Sequence, residues 1–198
     1  MRTGIYGGTF DPVHLGHITM LEKAMAAAKL DRAIVMPDRI PPHKASDRLV
    51  RGEHRLKMCE LAFGEMENVK VSDWELSQQG KSYSVLTMRH LKEELSGDKL
   101  FFIMGSDMLM SFHKWYCFEE LLGLCTLVCV SRQQGDLAQL EDKAAALEKA
   151  GGEVIIARAK AFEVSSSQLR EMLMKGEDCS QLISERVLKY IRTNGLYR

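Results

Sequence analysis

Apolar residues along this chain fall into short unbroken runs separated by longer amphipathic stretches. The runs Gly4-Ile5-Tyr6, Ala33-Ile34-Val35-Met36, Val69-Lys70-Val71-Ser72, Leu100-Phe101-Phe102-Ile103-Met104, Thr126 to Val130 and Glu153 to Ala157 read as strands. Between them lie stretches with helical spacing. His14 to Leu30 is rich in Ala, Leu and Met, and Leu49 to Phe63 puts Leu56, Cys59 and Phe63 on one face. Ser84, as a cap, opens a helix to Leu95; shorter ones cover Met108 to Phe112 and end at Leu122; Leu137 to Ala150 is closed by Gly151-Gly152. Two more helices, Ser166 to Lys175 and Ser184 to Thr193, finish the chain. Strands alternating with helices predict a Rossmann-like α/β fold, an open, mostly parallel sheet with helices on both faces. No internal repeat or linker divides residues 1–198, so one domain is expected.

Composition changes this picture little. A hydrophobic fraction of 45% and a charged fraction of 27% are ordinary for a soluble globular protein. The formal net charge is zero, which argues against a global field drawing the chain to nucleic acid or an anionic membrane. No apolar run approaches transmembrane length, and no charged-then-apolar leader precedes the first strand. Cys59, Cys117, Cys125, Cys129 and Cys179 form no CxxC pair and suggest no metal, so reduced thiols and a cytoplasmic location are expected.

In open parallel sheets, ligands bind outside the carboxyl ends of the strands. Gly7-Gly8, the loop Pro41-Pro42-His43-Lys44, Gly105-Ser106-Asp107 and Arg132 all fall at those ends. The double proline bars regular structure from its loop. The opening stretch is the most informative: a strand, a Gly7-Gly8 turn, Thr9-Phe10-Asp11-Pro12, then a helix. Asp11 is the expected cap, with Pro12 in the first turn. His14 and His17, three apart, share a face of that turn, where unpaired N–H groups and the helix dipole favour an anion. A second such place is Ser165-Ser166-Ser167 before a helix, with Arg170 one turn in.

GGTFDPVHLGH is similar to the signature of the HxGH nucleotidyltransferases, and most closely to that of the bacterial nicotinate-mononucleotide adenylyltransferases. Val164 to Arg170 resembles the ISSTxIR motif of that superfamily, with Ser167 for the threonine and Leu169 for the isoleucine. Lys81-Ser82-Tyr83-Ser84 resembles its KSYT loop, and the likeness runs from Gly4 to Tyr197. The resemblance implies adenylyl transfer from ATP, with Mg²⁺ on its phosphates, to nicotinate mononucleotide in NAD biosynthesis. It implies His14, His17, Lys44 and Arg170 as the catalytic set. It assigns ATP to Gly7, Gly8, Thr9, Phe10, Gly105, Asp107, Arg132, Ser165, Ser166 and Ser167. The mononucleotide falls to Lys81, Ser82, Tyr83, Thr87, Trp115 and Tyr116.

Trp115 would offer an indole face to a cationic pyridinium, an attraction of roughly 0.5–2 kcal/mol; packing over the next helix is the alternative. Asp107 suits either ribose hydroxyls or a helix cap. The chain departs from the family in having Arg132-Gln133-Gln134-Gly135 where Arg-Pro-Gly is frequent, and Ser184, a good cap, where proline is. The charge-rich stretch Asp47 to Arg55 has no assigned role. Rival readings are an adenylyltransferase acting on phosphopantetheine, which offers no ring to stack, and a nucleotide-binding protein without catalysis. Oligomeric state is open.

Overall fold

The computed structural model describes residues 1–41, 49–131, 137–158 and 164–198. Six parallel strands form one sheet in the order β3-β2-β1-β4-β5-β6: β1 Arg2–Gly8, β2 Arg32–Pro37, β3 Val69–Val71, β4 Lys99–Gly105, β5 Thr126–Ser131 and β6 Val154–Arg158. The helices are α1 Leu15–Ala28, α2 Gly52–Phe63, α3 Trp74–Ser77, α4 Ser84–Glu94, α5 Ser106–Ser111, α6 Phe118–Leu124, α7 Leu137–Lys149, α8 Ser166–Met174 and α9 Glu185–Thr193. The chain steps outward from β1 through β3, then returns to β4 on the other side of β1. The switch point therefore lies between β1 and β4, where such sheets bind their ligands.

Side chains alternate across the strands and bury two apolar layers. Tyr6, Val35, Phe101, Ile103 and Val128 face one core with Leu21, Cys59, Leu169 and Leu188 of α1, α2, α8 and α9. Ile5, Met36, Phe102, Met104 and Leu127 face the other with Met88, Leu109, Leu121 and Leu140 of α4 to α7. The predicted fold class and every predicted strand are present.

Several local expectations are corrected. Gly7 and Gly8 are not turn residues: they pair with Met36 and Pro37 as the last two residues of β1. Asp11 does not cap α1; His14 occupies that position. The buried face of α2 is centred on Arg55, Met58, Cys59 and Phe63, with Leu56 only half-buried. Helix α3 interrupts the stretch before the Lys81 loop and was not foreseen. Ser84 is the first residue inside α4, behind Tyr83 at the cap position. Ser184 stands at the cap of α9, but its hydroxyl makes no capping bond and is buried without a partner.

Candidate active site

A cavity of about 620 Å³ opens at the carboxyl ends of β1 and β4. One end is built on the start of α1. The side chain of His14 accepts the Gly16 N–H through Nδ1 at 3.1 Å, and His17 Nδ1 accepts the His14 N–H at 3.2 Å. This reciprocal capping box satisfies two amides of the first turn. It also fixes the tautomer, because a ring whose Nδ1 accepts carries its hydrogen on Nε2 when neutral. The rings lie 3.8 Å apart, and both residues line the cavity. Phe10 is buried beside them, edge-on to His17 at 5.1 Å, and lines the cavity.

The second phosphate candidate meets the first. Ser166 donates its hydroxyl to the Pro12 carbonyl at 3.1 Å, which ties the start of α8 to the histidine turn. Ser165 caps α8 and exchanges hydrogen bonds with Gln168. Arg170 donates to the Asp11 carbonyl at 2.7 Å and to the Ser167 hydroxyl at 3.1 Å. The Asp11 carboxylate, 1% exposed, lies 3.8 Å from Arg170 and accepts the Tyr197 hydroxyl at 2.6 Å. Burial and the Asp11 charge push the Tyr197 phenol far above its usual range, so it stays a donor. Of the hydroxyls and N–H groups that the three serines offer, the Ser165 and Ser166 hydroxyls are committed to protein.

Thr9 also lines the cavity. Its hydroxyl donates to Asp38 Oδ2 at 2.9 Å, so that proton is committed to a carboxylate. Behind this pair sits Arg55, 2% exposed. It donates to the Thr9 carbonyl (2.8 Å), Asp38 Oδ1 (3.2 Å), the Val50 carbonyl (3.0 Å) and the Arg39 carbonyl (3.4 Å). One buried guanidinium thus gathers the turn after β1, the end of β2 and the segment leading into α2. Sequence reasoning missed Arg55 and Asp38. The available signal was Arg55 sitting in the helical stripe of Met58, Cys59 and Phe63.

The far end of the cavity is aromatic. Trp115 packs edge-to-face on Phe102 at 5.8 Å, and Tyr116, 58% exposed, lies 4.9 Å from Tyr83. Tyr83 and Ser82 line the cavity, as do Gly105, the last residue of β4, and Asp107. Asp107 is exposed in the first turn of α5, whose cap position is Gly105, so it is not a capping residue. Lys81 is exposed on the loop and does not line the cavity. Thr87 is buried, and its hydroxyl donates to Glu75 at 2.6 Å. Glu75, unforeseen, does line the cavity, and burial lifts its carboxyl to about 7 despite hydrogen bonds from Thr87 and Ser82. Lys44 and Arg132 lie outside the described residues. Among the described residues no group of three or more His, Cys, Asp or Glu side chains could cage a metal ion.

The chain that brings these two helix starts and the aromatic end together has a recognisable lineage. A family model described as Cytidylyltransferase-like matches residues 5–172. A probable nicotinate-nucleotide adenylyltransferase of Clostridium tetani is 35% identical over 198 residues, covering 100% of this chain and 99% of its own. The Bacillus subtilis nicotinate-nucleotide adenylyltransferase is 35% identical, covering 99% of this chain and 98% of its own. Among solved structures, Plasmodium falciparum nicotinic acid mononucleotide adenylyltransferase complexed with NaAD superposes with a TM-score of 0.78 at 22% identity, covering 99% of this chain and 97% of that one. The chain belongs to the cytidylyltransferase-like family and, within it, to the nicotinate-nucleotide adenylyltransferases.

Proposed function

We propose that this chain, acting as one domain, transfers the adenylyl group of ATP to nicotinate mononucleotide. A phosphate oxygen of the mononucleotide attacks the α-phosphorus of ATP. The bond from that phosphorus to the β-bridging oxygen breaks, and pyrophosphate leaves with its electron pair. The products are nicotinate adenine dinucleotide and pyrophosphate. The observation that carries this reading is the meeting of the α1 and α8 starts, with His14, His17 and Arg170, at one end of a cavity whose other end holds Trp115, Tyr83 and Tyr116.

A phosphate monoester has a second pKa of about 6, so near neutral pH the nucleophile is already largely dianionic and needs no general base. What the protein supplies is position and neutralisation of charge. The Nε2–H groups of the two histidines, the first-turn amides of α8 and the Arg170 guanidinium are the donors for that work; the first-turn amides of α1 already donate to the Leu182 carbonyl, the His14 ring and the His14 carbonyl. Mg²⁺ fits this donor set as a companion of ATP, held by phosphate oxygens and water rather than by a carboxylate cage, and would supply further neutralisation. Lys44 and Arg132 are proposed as additional triphosphate ligands from the loops that carry them.

Selectivity for nicotinate over nicotinamide is proposed to lie at the start of α4. Tyr83 and Ser84 bring that helix start to the cavity wall, and no side chain caps it. Its amides and positive dipole end favour a carboxylate, which accepts only, over an amide, which also needs an acceptor. Among the described residues no helix is long and apolar enough to cross a membrane, and all five cysteines are free, which supports a cytoplasmic setting.

The test is pyrophosphate release from ATP and Mg²⁺ with nicotinate mononucleotide, nicotinamide mononucleotide or phosphopantetheine as sole acceptor. Release with nicotinate mononucleotide well above the others is expected. Release with phosphopantetheine would overturn the aromatic subsite, and silence with all three from folded, ATP-binding protein would overturn the reaction.

A further inference from the structure

Glu75 is 7% exposed and lines the cavity, and, unlike the buried Asp11 and Asp38 that also line it, it forms no ion pair among the described residues. Its surroundings are hydroxyls. Thr87 of α4 donates to Oε1 at 2.6 Å, and Ser82 donates to the same carboxyl while accepting the Arg39 N–H at 2.9 Å. Among the described residues no cation stands within ion-pairing distance of it. The charged groups on the elements packed around it are directed elsewhere. Asp38, at the end of β2, is a like charge already held by Arg55 of α2. Lys81 is exposed on the loop, and on α4 His90 stacks on Trp74 and pairs outward with Glu94 at 3.1 Å.

Thr87 sits one turn into α4, so the Glu75 carboxyl lies against the same helix start that the proposed function gives to the nicotinate carboxylate. Two carboxylates sharing such a place cannot both ionise cheaply. We propose that Glu75 is a specificity-determining residue of the mononucleotide subsite: in its neutral form it admits the nicotinate carboxylate at the start of α4, and in its ionised form it repels it. This rests on the adenylyl-transfer reading above. Burial with no cationic partner already places the group where both forms are populated near neutral pH.

The experiment compares wild type with Glu75→Gln, whose side chain keeps the shape and stays neutral. The ratio of their kcat/KM values for nicotinate mononucleotide is measured from pH 6 to 8.5; titration of the phosphate and of the histidines cancels in that ratio. If only the neutral form admits substrate, the ratio falls about 30-fold across this range, as the neutral fraction falls. Nicotinamide mononucleotide, which brings no carboxylate, should show a flat ratio wherever its turnover is measurable. Calorimetry of nicotinate mononucleotide binding to wild type in buffers of different ionisation enthalpy gives a second readout that needs no variant. Uptake of roughly three quarters of a proton at pH 7.5 is expected. A flat ratio, or binding without proton uptake, overturns the role of Glu75 and leaves the reaction standing. Absence of turnover with nicotinate mononucleotide at every pH overturns the reaction itself, and this inference with it.

Discussion

Replacing Arg55 by Met keeps the apolar stem in the core and removes the guanidinium. The pair it forms with Asp38 is 3.2 Å long, with the two side chains 2% and 12% exposed. Loss of the cation strands the Asp38 carboxylate and leaves the Thr9 and Val50 carbonyls without their donor. Removing one partner of a buried pair typically costs ~3–5 kcal/mol, because the other charge stays behind. With a urea m-value of about 2 kcal/mol/M, the unfolding midpoint should fall by about 1.5–2.5 M. The assay is equilibrium urea unfolding of wild type, Arg55→Met, Asp38→Asn and the double variant. The double variant should recover part of the loss, giving a coupling energy of about 1–3 kcal/mol. A midpoint shift below about 0.5 M, or strictly additive single losses, would refute the reasoning. Because Asp38 also holds the Thr9 hydroxyl, the surviving folded fraction should bind ATP more weakly.

Three further outcomes are expected. His17→Ala removes one preorganised donor and should lower kcat by ~10²–10³; circular dichroism should show a folded protein, and full-rate turnover would sink the mechanism. Tyr197→Phe takes the donor from Asp11 Oδ1 and should cost about 1–3 kcal/mol in urea unfolding, since a buried acceptor is left unsatisfied. Asp98 is held at about 2, first by the Thr3 hydroxyl and then by Arg32, below its ordinary 3.8. A depressed carboxyl stabilises above its unfolded value and ceases to as pH falls through the folded one. The stability gap between wild type and Asp98→Asn should therefore be constant above about pH 5 and close towards pH 2. A gap that widens on acidification would contradict this.

The fold was legible because its signals are local. A run such as Leu100 to Met104 or Thr126 to Val130 is buried on both faces and therefore apolar without alternation, which marks a parallel strand before any contact is known. The two motifs were legible for a similar reason, since the start of a helix is marked by its immediate neighbours in sequence. His14, His17, Ser165 to Ser167 and Arg170 were found this way, and all reach one cavity.

What the sequence by itself determined, then, is which helix starts and which histidines line the cavity. What only the tertiary structure decided is where each remaining polar group spends its hydrogen bonds. Thr9 and Ser166 looked like phosphate ligands, yet their hydroxyls turn to Asp38 and Pro12, partners 29 and 154 residues away. Arg55 fell in a charge-rich stretch with no assigned role, and Asp38 and Glu75 were given none either; packing from α2, β2 and α3 made them buried supports or walls of the cavity. Asp11 looked like a cap, and Tyr197, at the opposite end of the chain, holds it instead. A charged or hydroxylated side chain reads the same in sequence whether water or protein satisfies it. Burial makes that choice, and burial is a property of the whole fold.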